Sequence, residues 1–391
     1  MPPSPHQAAG ELLRQLNIDV AQPVDPFAAI GRLGLVVVFR PLDNLLGAIL
    51  PGRPGGPAGI LLNGSAHPSV QRLTAAHEIG HWTLHYDHSR PGADRPFEWI
   101  ADERGEVVGD VTADIEHEAR RFARAFLLPD ALLDRLRARY WTGGQLTADA
   151  AYRIARDAGA PYSDLLRRLR DSGDLAPADY KRLHQVNPAA IKRQLSWGKR
   201  ARKDREVWDI GPVTPDAGLT VVTGDRLLAA LDEQPSTGYR WMEASAFARR
   251  SPSPAPPSFA RPGESVTWDE AADVTLAAAA PAATPGAPAP RPAVLPLVED
   301  TPGLPLAADP ALGAAGALAA APPAPRVGGR TGRRLGFATR TVGSRDIELV
   351  YARPWDPDSV VTRLVIPATV GPTPARRERD LQLAFGAEAD S

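Results

Sequence analysis

The sequence predicts an α+β protein of more than one domain, with a mainly helical first half and a small β-sandwich in the second half. Three observations support this fold class. Apolar residues recur at helical spacing through much of the first half, whereas short β-type runs separated by turn residues follow residue 207. A chain of 391 residues is also longer than one hydrophobic core usually organises.

In the first half, the region 8–20 has the spacing of an amphipathic helix, and Asp25 is a suitable cap for a second helix that Gly34 can end. Aliphatic runs predict two buried strands, separated by a proline- and glycine-rich turn at 51–57. These strands are 35–39 and Gly59–Asn63. Further helices are expected at 69–86, at 114–140 with a break at Pro129, and at 146–196 with breaks near Pro161 and Pro177, followed by a basic connector at 192–205.

The second half alternates strand-like runs with turn residues, which is typical of a β-sandwich. A stretch at 251–325 interrupts this pattern with 17 prolines in 75 residues and long alanine runs. Such a composition buries too little apolar surface to offset the entropy of ordering, so we expect a mostly disordered insertion with a strand-like island at 264–268. The strands expected around it are 219–222, 226–231, 334–341, 346–351 and 360–366.

The composition excludes several functional classes. The chain has no cysteine, which excludes disulfides, thiolate metal sites and a cysteine nucleophile. Its net charge of −1 indicates no basic surface, so we expect no direct nucleic-acid ligand. The N-terminus lacks the basic start and apolar core of a secretory signal, and no run approaches the roughly 18 apolar residues of a membrane span. We therefore expect a cytoplasmic protein with no membrane partner.

The most specific chemical signal is the pentad His-Glu-Ile-Gly-His at 77–81, inside a predicted helix. His77 and His81 are four residues apart and share one helix face, where two neutral imidazoles can ligate one Zn²⁺. Zinc lowers the pKa of a bound water, and the adjacent Glu78 can accept the proton. The pentad therefore predicts a hydrolytic zinc site. We expect His85 and His117 to be solvated helix residues rather than ligands.

A third protein ligand is needed. The class of zinc peptidases in which a glycine and a third histidine ligand follow the pentad is excluded, because Leu84 and Asp87 occupy those two positions. The other common solution is a glutamate on a following helix, and Glu116 and Glu118 both lie on the run 114–129. They are two residues apart and point in different directions on a helix, so only one can face the zinc.

These segments resemble the ImmA/IrrE family of zinc metallopeptidases. The matching pieces are the strand ending at Asn63, the run QRLTAAHEIGH at 71–81 and the run IEHEARRFARAFLLP at 115–129. In that family the second run usually reads Glu-x-x-Ala-Asn-x-x-Ala, which implies that Glu116 is the third ligand, with Ala119 three residues on. Arg120 stands where the family prefers Asn, and Leu128 where it often has Met; neither position is a ligand.

The resemblance covers roughly residues 10–190 and implies a zincin-like metallopeptidase domain at 8–140. It also implies a helical, helix-turn-helix-like extension and connector at 141–200. Known members of the family cleave helix-turn-helix transcriptional repressors and so switch on stress or mobile-element genes. The expected function is therefore that of an intracellular regulatory zinc endopeptidase with Zn²⁺ as cofactor and a protein substrate, such as a helix-turn-helix repressor.

The second half resembles another family, the chagasin-like inhibitors of papain-type cysteine proteases. These are immunoglobulin-like β-sandwiches that insert three loops into a protease cleft. Matching segments occur in the same order: EQPSTGYRW at 233–241, RVGGRTG at 326–332 and RPW at 353–355. Gln234 replaces the usual Asn of the first loop. The resemblance implies an immunoglobulin-like sandwich at 207–370 that carries the disordered insertion, followed by a flexible tail at 371–391. The implied loop residues are Pro235, Ser236, Thr237, Gly238, Tyr239, Gly328, Gly329, Gly332, Arg353, Pro354 and Trp355.

Three functional arrangements remain open. In the first, the chain is a zinc endopeptidase and the sandwich is a recognition or regulatory module. In the second, the chain inhibits or binds a papain-like cysteine protease, and the zinc domain is structural or sensory. In the third, the sandwich covers the zinc cleft until a signal displaces it.

Overall fold

The computed structural model describes residues 3–50, 57–86, 110–196, 198, 202, 204–210, 218–249, 293–295, 297–305, 331–374 and 376. These residues fall into two compact units, one within Met1–Val207 and Pro372–Ser391 and one within Trp208–Gly371. The expected turn at 51–57 (apart from its last residue), the strand-like island at 264–268, and Gly328 and Gly329 lie outside the described residues. Among the described residues, no helix has the length and apolar character needed to cross a membrane.

The first unit combines helices, as the sequence predicts, with a three-stranded sheet, of which the sequence predicts two strands. Local signals set several element ends. The Asp25 side chain accepts a hydrogen bond from Phe27 N, and Gly34 follows helix α2 with a positive φ of 74°. The elements in chain order are α1 Pro5–Gln15, α2 Pro26–Arg32, β1 Val36–Arg40, β2 Gly47–Leu50, β3 Gly59–Asn63, α3 Pro68–Leu84, α4 Asp110–Leu127, α5 Asp130–Tyr140, α6 Ala148–Ala158, α7 Tyr162–Asp171, α8 Pro177–His184 and α9 Pro188–Leu195.

The sheet of this unit has the order β1-β3-β2, with β1 parallel and β2 antiparallel to the central β3. The strand predicted at Gly59–Asn63 is confirmed and is largely buried. The strand expected at 35–39 also forms, but the expectation that it is buried was wrong: it lies at the sheet edge, and Val36 is 44% exposed. Strand β2 has no counterpart among the predicted elements.

Helix α3 packs against β2, β3 and α4. Two buried polar side chains fix the turn by which the chain enters α3. The Asn63 amide donates to the carbonyl oxygens of Leu42 and Leu45, and the Gln71 amide donates to three carbonyl oxygens of the turn, each at 3.1 Å. Because the Gln71 amide binds the turn and the Asn63 amide ties the end of β3 to the loop between β1 and β2, the start of α3 has a defined position on the sheet.

The second unit consists of two sheets that share one apolar core, as expected for a sandwich. One sheet has the order β4-β6-β10-β9, and the other has the order β5-β12-β11-β7, with β8 beside β11. Leu227 and Phe337 of the first sheet and Ile347 and Ile366 of the second belong to the same buried cluster. The elements are β4 Val207–Ile210, β5 Leu219–Val222, β6 Arg226–Glu233, a 3-10 helix Pro235–Thr237, β7 Arg240–Glu243, α10 Ala244–Ala248, β8 Ala293–Val294, β9 Leu297–Pro305, β10 Thr331–Ala338, β11 Gly343–Ala352 and β12 Thr362–Gly371.

One expectation for this unit needs correction, and one stretch contains strands that the sequence did not predict. The stretch 251–325 contains β8 and β9, and β9 pairs antiparallel with β10. Strand β9 could not be predicted from the composition of this stretch, because its backbone hydrogen bonds are made with a distant segment of the chain. Gly332, expected in a loop, lies in β10, where it pairs with Asp232 and Leu304.

Candidate metal centre

Helices α3 and α4 bring three side chains of the predicted site together. His77 and His81 project from one face of α3, and Glu116 projects from α4. Their ligand atoms, one per residue, all lie within 4.8 Å of one another. Nε2 of His81 is 3.0 Å from Glu116 Oε1 and 3.0 Å from His77 Nε2, and His77 Nε2 is 3.2 Å from Glu116 Oε2. Two imidazoles and one carboxylate is the ligand set of many hydrolytic zinc sites.

The burial and bonding of these groups fit a metal ion. Glu116 is only 4% exposed, yet its Oε2 atom receives no hydrogen bond of good geometry. The Nε2 atoms of the two histidines lie 3.0 Å apart, and each also faces one oxygen of the Glu116 carboxylate. A buried carboxylate whose two oxygens each face one imidazole nitrogen has the donor chemistry that Zn²⁺ requires.

The electrostatics of the two buried glutamates differ. Burial raises the pKa of Glu78 to about 7, with His81 lowering it and Glu116 raising it by smaller amounts. Burial also acts to raise the pKa of Glu116, but contacts with His77 and His81 outweigh this effect and hold that pKa below its ordinary value. Glu116 is therefore an anion beside the imidazoles, whereas Glu78 can exchange a proton near neutral pH.

Glu118, the alternative third ligand, does not join the cluster. Its Oε2 lies 3.1 Å from Nε2 of His85, and its side chain is half exposed. His117 is exposed, as expected. His85 is not solvated as expected: its side chain is 11% exposed, and its Nδ1 is 3.2 Å from Nδ1 of His81. The sequence signal for this contact is the spacing of four residues from His81 to His85.

Gly80, inside the pentad, allows α3 and α4 to approach closely. A Cβ atom at this position would lie 3.0 Å from Phe122 Cδ1 and 3.2 Å from the carbonyl oxygen of Ala119. Glu116 is one helical turn before Ala119, and His77 is one turn before Gly80. The glycine therefore sets the separation of the two helices next to the ligands, and sequence reasoning had assigned it no role.

In the second unit, two of the three predicted loop segments meet. Residues 235–237 form the 3-10 helix before β7, and 353–355 form the turn after β11. Gly238 has a φ of +76°, and a Cβ there would lie 2.7 Å from Trp355 Cη2. The Arg353 guanidinium stacks over the ring of Tyr239, 4.7 Å from its centroid. Glycine is therefore necessary at position 238 for two reasons: the positive φ disfavours other residues, and a side chain would clash with the indole of Trp355.

These features define a helix pair with a His-His-Glu cluster, and a family match agrees with them. Residues 30–170 match the Peptidase M78 family, described as the IrrE N-terminal-like domain. The chain therefore carries an IrrE N-terminal-like domain, as the sequence segments predicted. No curated protein sequence matches the chain significantly.

The C-terminal region is similar in structure to solved cysteine protease inhibitors. The inhibitor EhICP2 from Entamoeba histolytica is 14% identical and matches over 44% of this chain and 100% of its own, with a TM-score of 0.23. The Leishmania mexicana ICP is 19% identical over 43% of this chain and 91% of its own, with a TM-score of 0.19. PbICP-C, solved in complex with falcipain-2, is 14% identical over 44% of this chain and 92% of its own, with a TM-score of 0.17.

Proposed function

We propose that this protein is a zinc-dependent endopeptidase whose active site lies between α3 and α4. The observation that carries the proposal is the convergence of His77, His81 and Glu116 within an M78 peptidase domain. This convergence combines two residues of a local helical pattern with a third residue from 35 positions further along the chain. A chance pair of histidines on a surface helix would not have a buried carboxylate against both imidazoles.

Each residue has a defined role in this proposal. His77, His81 and Glu116 would hold the ion, which when bound supplies a Lewis acid for the scissile carbonyl and lowers the pKa of water. Glu78 is buried on the same helix and does not belong to the ligand cluster. Its carboxylate takes a proton from the attacking water and passes it to the leaving amine nitrogen.

The exchange Glu78→Gln tests this assignment, because it keeps the size of the side chain and removes its basicity. We expect zinc content to stay at the wild-type level and proteolysis to fall by about 10²- to 10⁴-fold, the usual contribution of general acid–base catalysis. Glu11→Gln is a matched control, since Glu11 is an exposed residue of α1. A Glu78→Gln protein that cleaves as fast as the control would show that Glu78 is not the base.

We further propose that the substrate is a protein in the same cell, of the kind that the family resemblance implies: a helix-turn-helix transcriptional repressor. The support is the resemblance of 71–81 and 115–129 to regulatory peptidases together with the family match. Comparing the proteomes of cells that express the wild-type and Glu78→Gln proteins would reveal the substrate. A repressor lost only with the active protein supports the proposal, and unchanged repressor levels contradict it.

A second function is proposed for the sandwich: binding and inhibition of a papain-like cysteine protease. The contact between Gly238 and Trp355 favours it, because two segments that are over 100 residues apart meet as neighbouring loops. Trp355 offers a large, low-entropy contact surface and Arg353 a cation beside it. Both loops follow strand ends, where binding residues are often placed on a rigid framework.

The test uses the full chain with Glu78→Gln, so that it cannot cleave the target, and measures papain hydrolysis of a peptide. We expect inhibition at micromolar protein, reduced at least tenfold by Trp355→Ala and by Gly238→Ala. Val342→Ala is the control, since Val342 is exposed and precedes β11, whereas Trp355 follows its other end. Full papain activity at micromolar protein would count against inhibition.

A further inference from the structure

We propose that His85, supported by Glu118, is a positioning residue that holds His81 in the tautomer and orientation needed to bind the metal. This inference rests on the proposed zinc function and concerns residues outside the ligand set. It gives Glu118 a role that differs from the one considered for it as a ligand. The evidence is a chain of contacts that runs from Glu118 through His85 to His81.

The contacts form an unbroken line from the protein surface to the ligand cluster. Glu118 Oε2 is 3.1 Å from His85 Nε2, and His85 Nδ1 is 3.2 Å from His81 Nδ1. The other ring nitrogen of His81, Nε2, is 3.0 Å from Glu116 Oε1. Both nitrogens of both rings thus have a defined neighbour, and one end of the line is a carboxylate.

Only one arrangement of protons satisfies this line when Nε2 of His81 binds a metal. Metal binding needs a bare Nε2, so the proton of a neutral His81 must be on Nδ1. His81 Nδ1 then donates to His85 Nδ1, which must also be bare. The proton of His85 is consequently on Nε2, where it donates to the Glu118 carboxylate. Each donor meets an acceptor, and the direction of the whole line is fixed by its two ends.

The burial of the two supporting groups predicts unequal contributions. The His85 side chain is 11% exposed and packs against the ring of His81, with 5.3 Å between centroids. The Glu118 side chain is 52% exposed, so water and salt screen its interaction with His85. Loss of His85 should therefore affect the metal site more than loss of Glu118.

His85 is not itself in the ligand cluster. Its Nδ1 faces the far nitrogen of His81, and its Nε2 faces Glu118. A residue that acts through a ligand typically changes metal affinity by about 10- to 100-fold when it is removed. This decrease in affinity is smaller than the decrease caused by removing a ligand and larger than that caused by a remote surface substitution. Affinity measurements can therefore identify it.

The experiment measures zinc affinity of the full-length protein by competition with a chromophoric chelator. His85→Leu removes both hydrogen bonds but keeps an apolar filler, and we expect its affinity to fall 10- to 100-fold. His85→Asn restores an acceptor for His81 Nδ1 and should recover most of that loss. Glu118→Ala should lower the zinc affinity only a few-fold, and this decrease should be smaller at high salt. His117→Ala is the control, because His117 is exposed between the two glutamates and should leave affinity unchanged.

Two further measurements separate positioning from general stability. The metal-free His85→Leu and wild-type proteins should unfold at similar urea concentrations. In the zinc-loaded wild type, ¹⁵N-histidine spectra should show the His85 proton on Nε2; the chain has eight histidines, which permits assignment by substitution. A proton on His85 Nδ1, or equal zinc affinity of His85→Leu and wild type, would overturn the inference alone. A wild-type protein that binds no zinc would overturn the proposed function and the inference together.

Discussion

Replacing Gly80 by alanine is expected to weaken zinc binding, although alanine is the better helix former. In an open helical position this exchange stabilises a protein by about 1 kcal/mol, because glycine loses more backbone entropy on folding. Gly80 is not in an open position. Its missing Cβ leaves the space into which α4 packs, one helical turn from His77 and from Glu116.

The structure gives the size of the opposing effect. A Cβ at position 80 would lie 3.0 Å from Phe122 Cδ1, 3.2 Å from Ala119 O and 3.3 Å from Ala119 Cα. Non-bonded carbon atoms prefer about 3.5–4.0 Å, so α3 and α4 must separate by roughly half an ångström. Phe122 is fully buried and Ala119 contributes backbone atoms, so neither can move aside alone. Overpacking of this kind costs about 1–3 kcal/mol, which equals or exceeds the helical gain.

The separation acts directly on the metal site, since Glu116 moves with α4 and both histidines stay on α3. We expect zinc affinity to fall about tenfold, which is about 1.4 kcal/mol, and the free energy of unfolding without zinc to fall by up to about 2 kcal/mol. Chelator competition and urea unfolding measure the two quantities. Gly10→Ala on α1 is the matched control, because no atom lies within 4 Å of its added Cβ. A Gly80→Ala protein that is stabilised like the control and binds zinc normally would refute the reasoning.

Two further predictions concern a polar cluster near the start of α3. Glu206 accepts a hydrogen bond from Tyr152 and pairs with the buried Lys192 at 3.2 Å. Glu206→Gln should therefore lower the free energy of unfolding, measured with urea, by about 2 kcal/mol, whereas the exchange Asp204→Asn, at a half-exposed side chain, should change it by less than about 0.5 kcal/mol. Burial lowers the pKa of His67 in the folded protein, against an opposing effect of Glu206. The stability that neutral His67 contributes is complete above its unfolded pKa of about 6.5 and is lost as the pH falls through the lower folded value. Unfolding of wild type and His67→Gln at pH 7.5 and 5 should show a smaller acid loss in the variant, and equal losses would contradict this.

Local sequence signals were sufficient wherever a structure depends on neighbouring residues. Asp25 and Gly34 mark the ends of α2 because capping and positive φ are properties of single residues. The histidine pair was equally readable, since a spacing of four residues places two side chains on one helix face whatever surrounds the helix. In contrast, β2 and β9 are strands because of distant partners, β3 and β10, and their own composition favours a strand only weakly.

The third ligand shows why the remainder of the site could not be read from periodicity. With about 100° per residue, Glu116 and Glu118 are roughly 200° apart on α4. They flank the buried stripe that contains Phe122 and Phe126 on opposite sides, so the apolar pattern favours neither. The choice depends on which flank of α4 faces α3. The Gly80 contact sets how closely the two helices approach, and only this approach brings Glu116 within reach of both imidazoles. The same packing places Glu118 outside the ligand cluster, within hydrogen-bond distance of His85. One glycine between two histidines therefore contributes to both the ligand set and the groups that support it, and its replacement should affect both at once.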